Sequence, residues 1–544
     1  MNHAHTLRAA SDTGIRPRVR LNGGVPSPLI AALRRDLVTS SFSVQTVGEL
    51  WGETAAAALF RGQRRPALNA LYHRRQAGIP LTRAEALATL FVLNEPLEHS
   101  AVDTALPQLT SAGAAELGLV GPVEGGGRFR ALLDLRPYSF VDTSGAGSWW
   151  IVSDLGELAV GGPLEVDHVL GVGGASTTLS SLMIGADVDT VLDLGTGCGI
   201  QAMHASRHAR RVVATDISAR ALRLAALNAE LNAIDNIEFR LGSLYEPVQD
   251  DRFDQIVSNP PFVITPRREG VPLYEYRDGG LEGDALVETV IRGAAAHLTP
   301  GGVAQLLGNW EYRAPGAPAT SGIDRVRGWV SPTGLDAWVI ERELQDAPQY
   351  AETWIRDGGT RQGTPQFEEL YAAWLDDFDR RGVTQVGFGY VLLRAPGGAT
   401  RRPLTPRLSR FETLHGGRGE NPAGLGEYFQ TALANYDWQA SRDDQSLLTS
   451  IVTYAPDVTE ERHYWPGQEN PTVMTLRQGS GFARTVPLDT ALAALVGACD
   501  GDLTIGQLCG AIAHLLEVDE EALVADVLPR LRQLVDDGFL LPLQ

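Results

Sequence analysis

Lysine is absent from this sequence. All 46 basic residues among the 544 are arginine, which excludes Schiff-base and pyridoxal-phosphate lysines, the P-loop lysine and lysine general bases. Cysteine is nearly as scarce. Cys198, Cys499 and Cys509 are too few and too scattered for a disulfide framework, and none forms the C-x-x-C pair of a zinc site. The expectation is a reducing, cytoplasmic compartment with no metal. No run approaches the roughly 18 uninterrupted apolar residues of a membrane helix, and residues 1–20 lack an apolar h-region, so a soluble, unexported protein without a membrane partner is expected.

Composition is otherwise ordinary. Hydrophobic residues at 44% and charged residues at 21% exclude wholesale disorder and fibrous repeats. At about 150 residues per domain, the length implies three or four domains. The net charge of −20 is uneven: residues 1–80 hold eleven Arg against four acids, which makes that segment +7 and the remainder −27. An Arg-rich start is suited to RNA or an acidic protein, and equally to a solvated face.

Three regions follow from the pattern along the chain. Residues 1–160 read as mainly helical, with apolar spacing in Leu29–Leu37 and Ala84–Leu93, then β-like pieces at Phe129–Leu135 and Trp149–Val152. This suggests a helical, winged-helix-like N-terminal domain. Residues 161–397 alternate strand-like and helical runs. The strand candidates are 190–194, 211–215, 237–241, 255–258, 303–307, 337–342 and 386–394, which predicts a doubly wound α/β sheet of seven strands. Residues 398–544 open on Pro/Gly/Arg-rich loops and end in helices over 486–543. Residues 491–544 carry nine acids against two Arg, so this end is expected to be an acidic winged-helix-like module better suited to protein than to nucleic acid.

The most informative segment is TVLDLGTGCGIQ, residues 190–201. A buried strand runs into Asp193, then Gly195, Gly197 and Gly199, then a helix. Alternate glycines let the backbone turn sharply and approach a ligand at the carboxyl end of a strand. The spacing fits neither G-x-G-x-x-G nor a P-loop. Asp216 ends the next strand, where a carboxylate can accept both hydroxyls of a ribose, and Ser218 can cap the following helix. Cys198 reads as a small filler within the loop.

With these motifs the sequence resembles the class I S-adenosylmethionine (AdoMet)-dependent methyltransferases over roughly residues 165–395. The resemblance implies a Rossmann-like methyltransferase fold. It implies that Gly195, Gly197 and Gly199 pack against the methionine and ribose of AdoMet, that Asp193 orders its amino end and that Asp216 holds the ribose. Members often carry an acid at the third strand end to bond the adenine amino group. Here Ser243 stands in that place, with Leu244 beside it.

The fourth strand ends in VSNPPFVI. Two prolines after a strand fix a rigid turn whose carbonyls do not pair in a ladder. Asn259 offers a side-chain carbonyl, Pro260 a backbone carbonyl, and Phe262 a flat apolar face. Two acceptors side by side hold the two N–H groups of a planar nitrogen and steer its lone pair toward an electrophile, so positioning and charge stabilisation supply the rate. Asn259, Pro260 and Phe262 are therefore the candidate catalytic residues, with Asn259 also bordering the cofactor. The acceptor is an amide or an exocyclic amine. The [ND]-P-P-[FYW] signature marks amino-methyltransferases acting on protein glutamine, adenine-N6 and guanine-N2 alike.

The stretch YEYRDGGLEGDALVETVI, residues 274–291, resembles the loop and helix that follow this motif in the HemK-like release-factor glutamine methyltransferases. The resemblance implies Tyr274, Glu275, Arg277 and Asp278 as residues that grip the substrate. Phe262 replaces the more usual Tyr, and the chain is far longer than ordinary members. The leading expectation is an AdoMet-dependent N-methyltransferase acting on a protein glutamine amide. Two alternatives stand beside it: an rRNA or tRNA base N-methyltransferase using the Arg-rich start, and a non-catalytic AdoMet-binding scaffold.

Overall fold

The computed structural model describes residues 27–160, 164–274, 276–314, 322–397 and 408–543. The basic start up to residue 26 and the proposed substrate residue Glu275 lie outside the described residues.

The central sheet is built from β1 (Val188–Leu194), β2 (Ala209–Asp216), β3 (Ile237–Leu241), β4 (Phe253–Ser258), β5 (Leu298–Arg313), β6 (Asp336–Asp346), β7 (Val383–Arg394) and β8 (Ser409–Thr413). Its order is β3-β2-β1-β4-β5-β7-β6-β8. β1 to β5 run parallel, whereas β7 is antiparallel to both β5 and β6. Val191, Leu192, Asp193 and Leu194 are all buried, as expected of a central strand covered on both faces. All seven strand candidates fall within strands of this sheet. The strand count is corrected from seven to eight, because β8 adds parallel to β6 at the edge. β8 is only five residues long, between Pro/Gly/Arg-rich loops that masked it, and it lies beyond residue 397, the expected edge of this domain.

Between the strands run α1 (Ile200–Ala205), α2 (Ala219–Leu231), α3 (Ala285–His297), α4 (Ile323–Val330), α5 (Ala347–Asp357) and α6 (Pro365–Arg381). Ser218 caps α2 by accepting the Ala221 N–H, as its position predicted. α2 is apolar on two faces. Leu222, Ala225 and Ala229 pack on the sheet, while Ala221, Leu224 and Leu231 join a core shared with residues 30–152.

That shared core explains the N-terminal region. Helices Pro28–Thr39, Val44–Phe60 and Arg65–Gln76 and several shorter helical segments accompany a small antiparallel sheet and a long hairpin, Leu133–Asp142 with Gly145–Asp154. Trp149, on the second hairpin strand, packs against His204 of α1 at 4.9 Å between ring centroids. The hairpin also bonds to α2 through side chains. Asn228 donates to the Val152 carbonyl and accepts the Val152 N–H, at 2.8 and 2.7 Å. Asn232 does the same with Trp150 at 2.8 and 2.9 Å. Two asparagines one helical turn apart thus occupy alternate residues of a strand edge that would otherwise leave buried backbone groups unpaired.

At the other end, helix Gly426–Ala440 packs Phe429, Ala432 and Leu433 against Trp338 and Leu392 of the sheet. Beyond it lie a three-stranded meander over 458–488, then helices Thr490–Gly497, Ile505–Leu516 and Glu520–Asp536. The terminal strand Leu540–Pro542 pairs back to Val452–Tyr454. Among the described residues no helix is long and apolar enough to cross a membrane.

Candidate active site

The glycine loop and the NPPF turn meet at the carboxyl edge of the sheet because β1 and β4 are neighbours, with Asp193 opposite Val257. The Ser258 hydroxyl donates to the Leu194 carbonyl at 2.8 Å, which ties the residue before Asn259 to the residue before Gly195. Gly195 and Gly197 adopt φ of +79° and +55°, a region that favours glycine. A Cβ built on either meets nothing within 4 Å, so both line open space. Gly199 differs: a Cβ there would lie 3.0 Å from the Ala225 Cβ, so it serves the packing of α1 on α2.

Asp193 is fully buried. One carboxylate oxygen accepts from the Thr196 hydroxyl at 2.6 Å and the Ala202 N–H at 2.9 Å. The other is buried with no partner. Burial pushes its pKa up to about 7, since a charged carboxylate loses hydration there. An orphaned carboxylate oxygen beside an open glycine cradle is matched to a cationic amine. Asp216 accepts the Gly197 N–H with one oxygen and the Ser218 N–H with the other, both at 2.9 Å. Each oxygen retains a further lone pair for a hydroxyl. Burial raises its pKa as well. Ser243 and Leu244 sit half-buried just past β3, and Leu244 takes the unusual φ of +47°. The donor set and the open cradle fit AdoMet.

Past β4, Pro260 is buried and Asn259 half-buried. The Asn259 side-chain oxygen is buried and without a partner. A buried amide carbonyl left unpaired is costly, and an incoming N–H relieves it. The Phe262 ring lies 5.2 Å from Phe388 and 6.0 Å from Trp354, which places three aromatic faces around the turn. The turn is fixed downstream by Tyr350, whose hydroxyl accepts from the Ile264 N–H at 3.1 Å and from the Asn309 amide at 2.7 Å. Sequence reasoning missed Ser258, Tyr350 and Asn309. Only Ser258, adjacent to the motif, left a local signal.

The residues expected to grip a substrate have other partners. Tyr274, Arg277 and Asp278 are buried. Asp278 accepts from the Tyr274 N–H at 2.5 Å, from Arg277 at 3.2 Å and from the Thr265 hydroxyl, while Arg277 donates to the Trp354 carbonyl at 2.8 Å. The Arg277 carbonyl accepts the Val263 N–H at 3.0 Å. This network frames the NPPF turn from behind. Cys198 is buried, with its thiol pushed up to about 11, consistent with packing and not with nucleophilic chemistry. Among the described residues no cluster of three or more potential ligands is arranged to hold a metal.

Residues 172–317 match the family described as methyltransferase small domain. Residues 39–132 and 430–542 match two families described as domain of unknown function, DUF7059 and DUF7782. Among individual relatives, a release factor glutamine methyltransferase of Xylella fastidiosa is 39% identical over 133 residues, 23% of this chain and 48% of the relative. A ribosomal protein uL3 glutamine methyltransferase of Bradyrhizobium diazoefficiens is 38% identical over 125 residues, 21% of this chain and 39% of the relative. The chain thus spans about half or less of the length of these two relatives. Among solved structures, the YcgJ protein of Bacillus subtilis aligns over 41% of this chain and 98% of its own at 16% identity and a TM-score of 0.28.

Proposed function

We propose that the chain is an AdoMet-dependent N-methyltransferase acting on the side-chain amide of a protein glutamine. The observation that carries this reading is the pair of buried, unpartnered oxygens, Asp193 Oδ1 and Asn259 Oδ1, at the carboxyl ends of adjacent strands. The first suits an ammonium, the second an amide N–H.

AdoMet supplies an electrophilic methyl on a sulfonium. Asp193 holds the cofactor's ammonium, Asp216 its ribose hydroxyls, and the open backbone of Gly195 and Gly197 allows close approach. Ser243 and Leu244 border its base. Asn259 and the Pro260 carbonyl accept the two N–H groups of the glutamine amide, and Phe262 flanks its plane. As these acceptors pull on the N–H protons, the nitrogen lone pair turns out of conjugation toward the methyl carbon. Bound AdoMet would supply the methyl and leave as a neutral thioether, while the nitrogen held by Asn259 and the Pro260 carbonyl would give up one proton to solvent. Orientation and acceptor charge lower the barrier, and no strong base is needed.

The curated relatives that carry the same segment are named for glutamine methylation of a release factor and a ribosomal protein, which favours a polypeptide acceptor over an RNA base. The test is Asn259→Ala. Transfer falls by at least a hundredfold while AdoMet affinity stays within about twofold, because the side chain acts on the acceptor. Unchanged turnover refutes the mechanism.

A further inference from the structure

A cavity of about 310 Å³ lies between the N-terminal region and the catalytic loop. Its walls include Leu59, Val92, Leu93, Leu164 and Leu170, and Tyr276 closes one side. Tyr276 directly precedes Arg277, whose carbonyl holds the Val263 N–H next to Phe262, so the cavity is linked through one residue to the loop that frames the NPPF turn. The Tyr276 hydroxyl is buried and has no partner. A buried hydroxyl in that condition is a donor awaiting an acceptor.

The charged groups along the cavity are already matched. Arg64 donates to the Leu93 carbonyl at 2.9 Å and lies 3.7 Å from Glu95. Arg136 bonds both oxygens of Asp134 at 2.8 and 2.7 Å. Asp357 faces Arg277 at 3.8 Å. His168 of the lining lies 3.8 Å from Asp154, and the remaining walls are largely aliphatic. The mouth is not. The turn that carries Leu59 and Arg64 into the cavity also carries Phe60, 94% exposed, and the exposed Arg61 and Arg65. Among the described residues no carboxylate pairs with either arginine, and residues 60–76 contain five Arg and no acid, against a chain of net charge −20.

We propose that this cavity recognises the polypeptide that presents the methyl acceptor. An aliphatic side chain of the substrate seats among the leucines, a neighbouring peptide carbonyl accepts the Tyr276 hydroxyl, and acidic side chains flank it at Arg61 and Arg65. Leucine walls favour a polypeptide over a nucleobase, which stacks on aromatic faces. Exposed arginines beside the lining residues, with no carboxylate partner among the described residues, select negative charge. This inference rests on the protein-glutamine reading above and adds the sequence character of the substrate.

The test uses the full chain and two fluorescein-labelled dodecapeptides, each with one glutamine and several leucines, one flanked by aspartates and the other by lysines. Anisotropy should show the aspartate peptide binding at least tenfold more tightly, with affinity falling as salt rises. The double variant Arg61→Glu/Arg65→Glu, on exposed positions, should reverse the preference, and Tyr276→Phe should weaken the aspartate peptide several-fold with AdoMet affinity unchanged. Equal binding of the two peptides, no response to charge reversal, or displacement of the peptide by a single-stranded RNA oligonucleotide that binds more tightly overturns the proposal. Binding is the primary readout, and methylation of the same peptides is scored separately. Selective binding without methylation of the peptide refutes the glutamine reading alone, whereas methylation of both peptides without discrimination refutes the cavity alone.

Discussion

AdoMet affinity should depend on pH through Asp193. Its carboxyl is pushed up to about 7 by burial, and only its ionised form pairs with the cofactor's ammonium. With that pKa the group is roughly nine-tenths protonated at pH 6 and a tenth at pH 8, so the apparent dissociation constant should be about tenfold weaker at pH 6, a difference of about 1.4 kcal/mol. Binding at pH 6 should release close to one proton. Calorimetric titration in buffers of different ionisation enthalpy measures both quantities. Asp193→Asn keeps the acceptor for Thr196 and Ala202 but turns an N–H₂ toward the ammonium, so affinity at pH 8 should drop and the slope between pH 6 and 8 should flatten. Any slope that remains belongs to Asp216, which is raised in the same direction. The same shift sets the stability of the free protein. A carboxyl raised above its unfolded value of about 3.9 contributes most below that pH and loses its contribution as pH climbs to about 7. Constant affinity from pH 6 to 8 with buffer-independent heats would refute this account of the amino-end site.

Three further outcomes follow from single contacts. Asn228→Ala removes bonds to Val152 and to the Cys198 carbonyl, at 2.7 to 2.9 Å, and strands buried backbone groups, so thermal unfolding should show a loss of about 2 to 4 kcal/mol. Gly199→Ala places a Cβ 3.0 Å from Ala225 at φ +90° and should lower stability by about 1 to 3 kcal/mol. Asp216→Ala should weaken AdoMet by roughly 1.5 to 3 kcal/mol, the worth of hydrogen bonds to a charged group, as read by titration.

The central sheet was legible because its strands are short apolar runs set between helical periods, and each motif sits where β1, β2 or β4 ends. The glycine loop was legible because positive-φ glycines leave a sequence trace. The relation between regions left almost none. α2 reads as one amphipathic helix, yet its second face completes the core of residues 30–152, and nothing in the local pattern marks Asn228 and Asn232 as partners of a strand edge. β8 is hidden by its length and its flanking loops, and the meander over 458–488 by its polar, exposed strands. Tyr274, Arg277 and Asp278 look like a polar surface loop in sequence. Their burial follows from α5 and the Thr265 segment closing over them, a long-range packing that local pattern does not encode.

The most direct measurement is transfer of labelled methyl from AdoMet into an extract of cells lacking the gene, followed by digestion with protease or ribonuclease and mass spectrometry of the labelled product. Label released by protease and located on the side-chain nitrogen of glutamine, and absent with Asn259→Ala, is the expected result. Label released by ribonuclease alone, or carried on an oxygen or carbon atom, contradicts the assignment of Asn259 and Pro260 as acceptors for a glutamine amide.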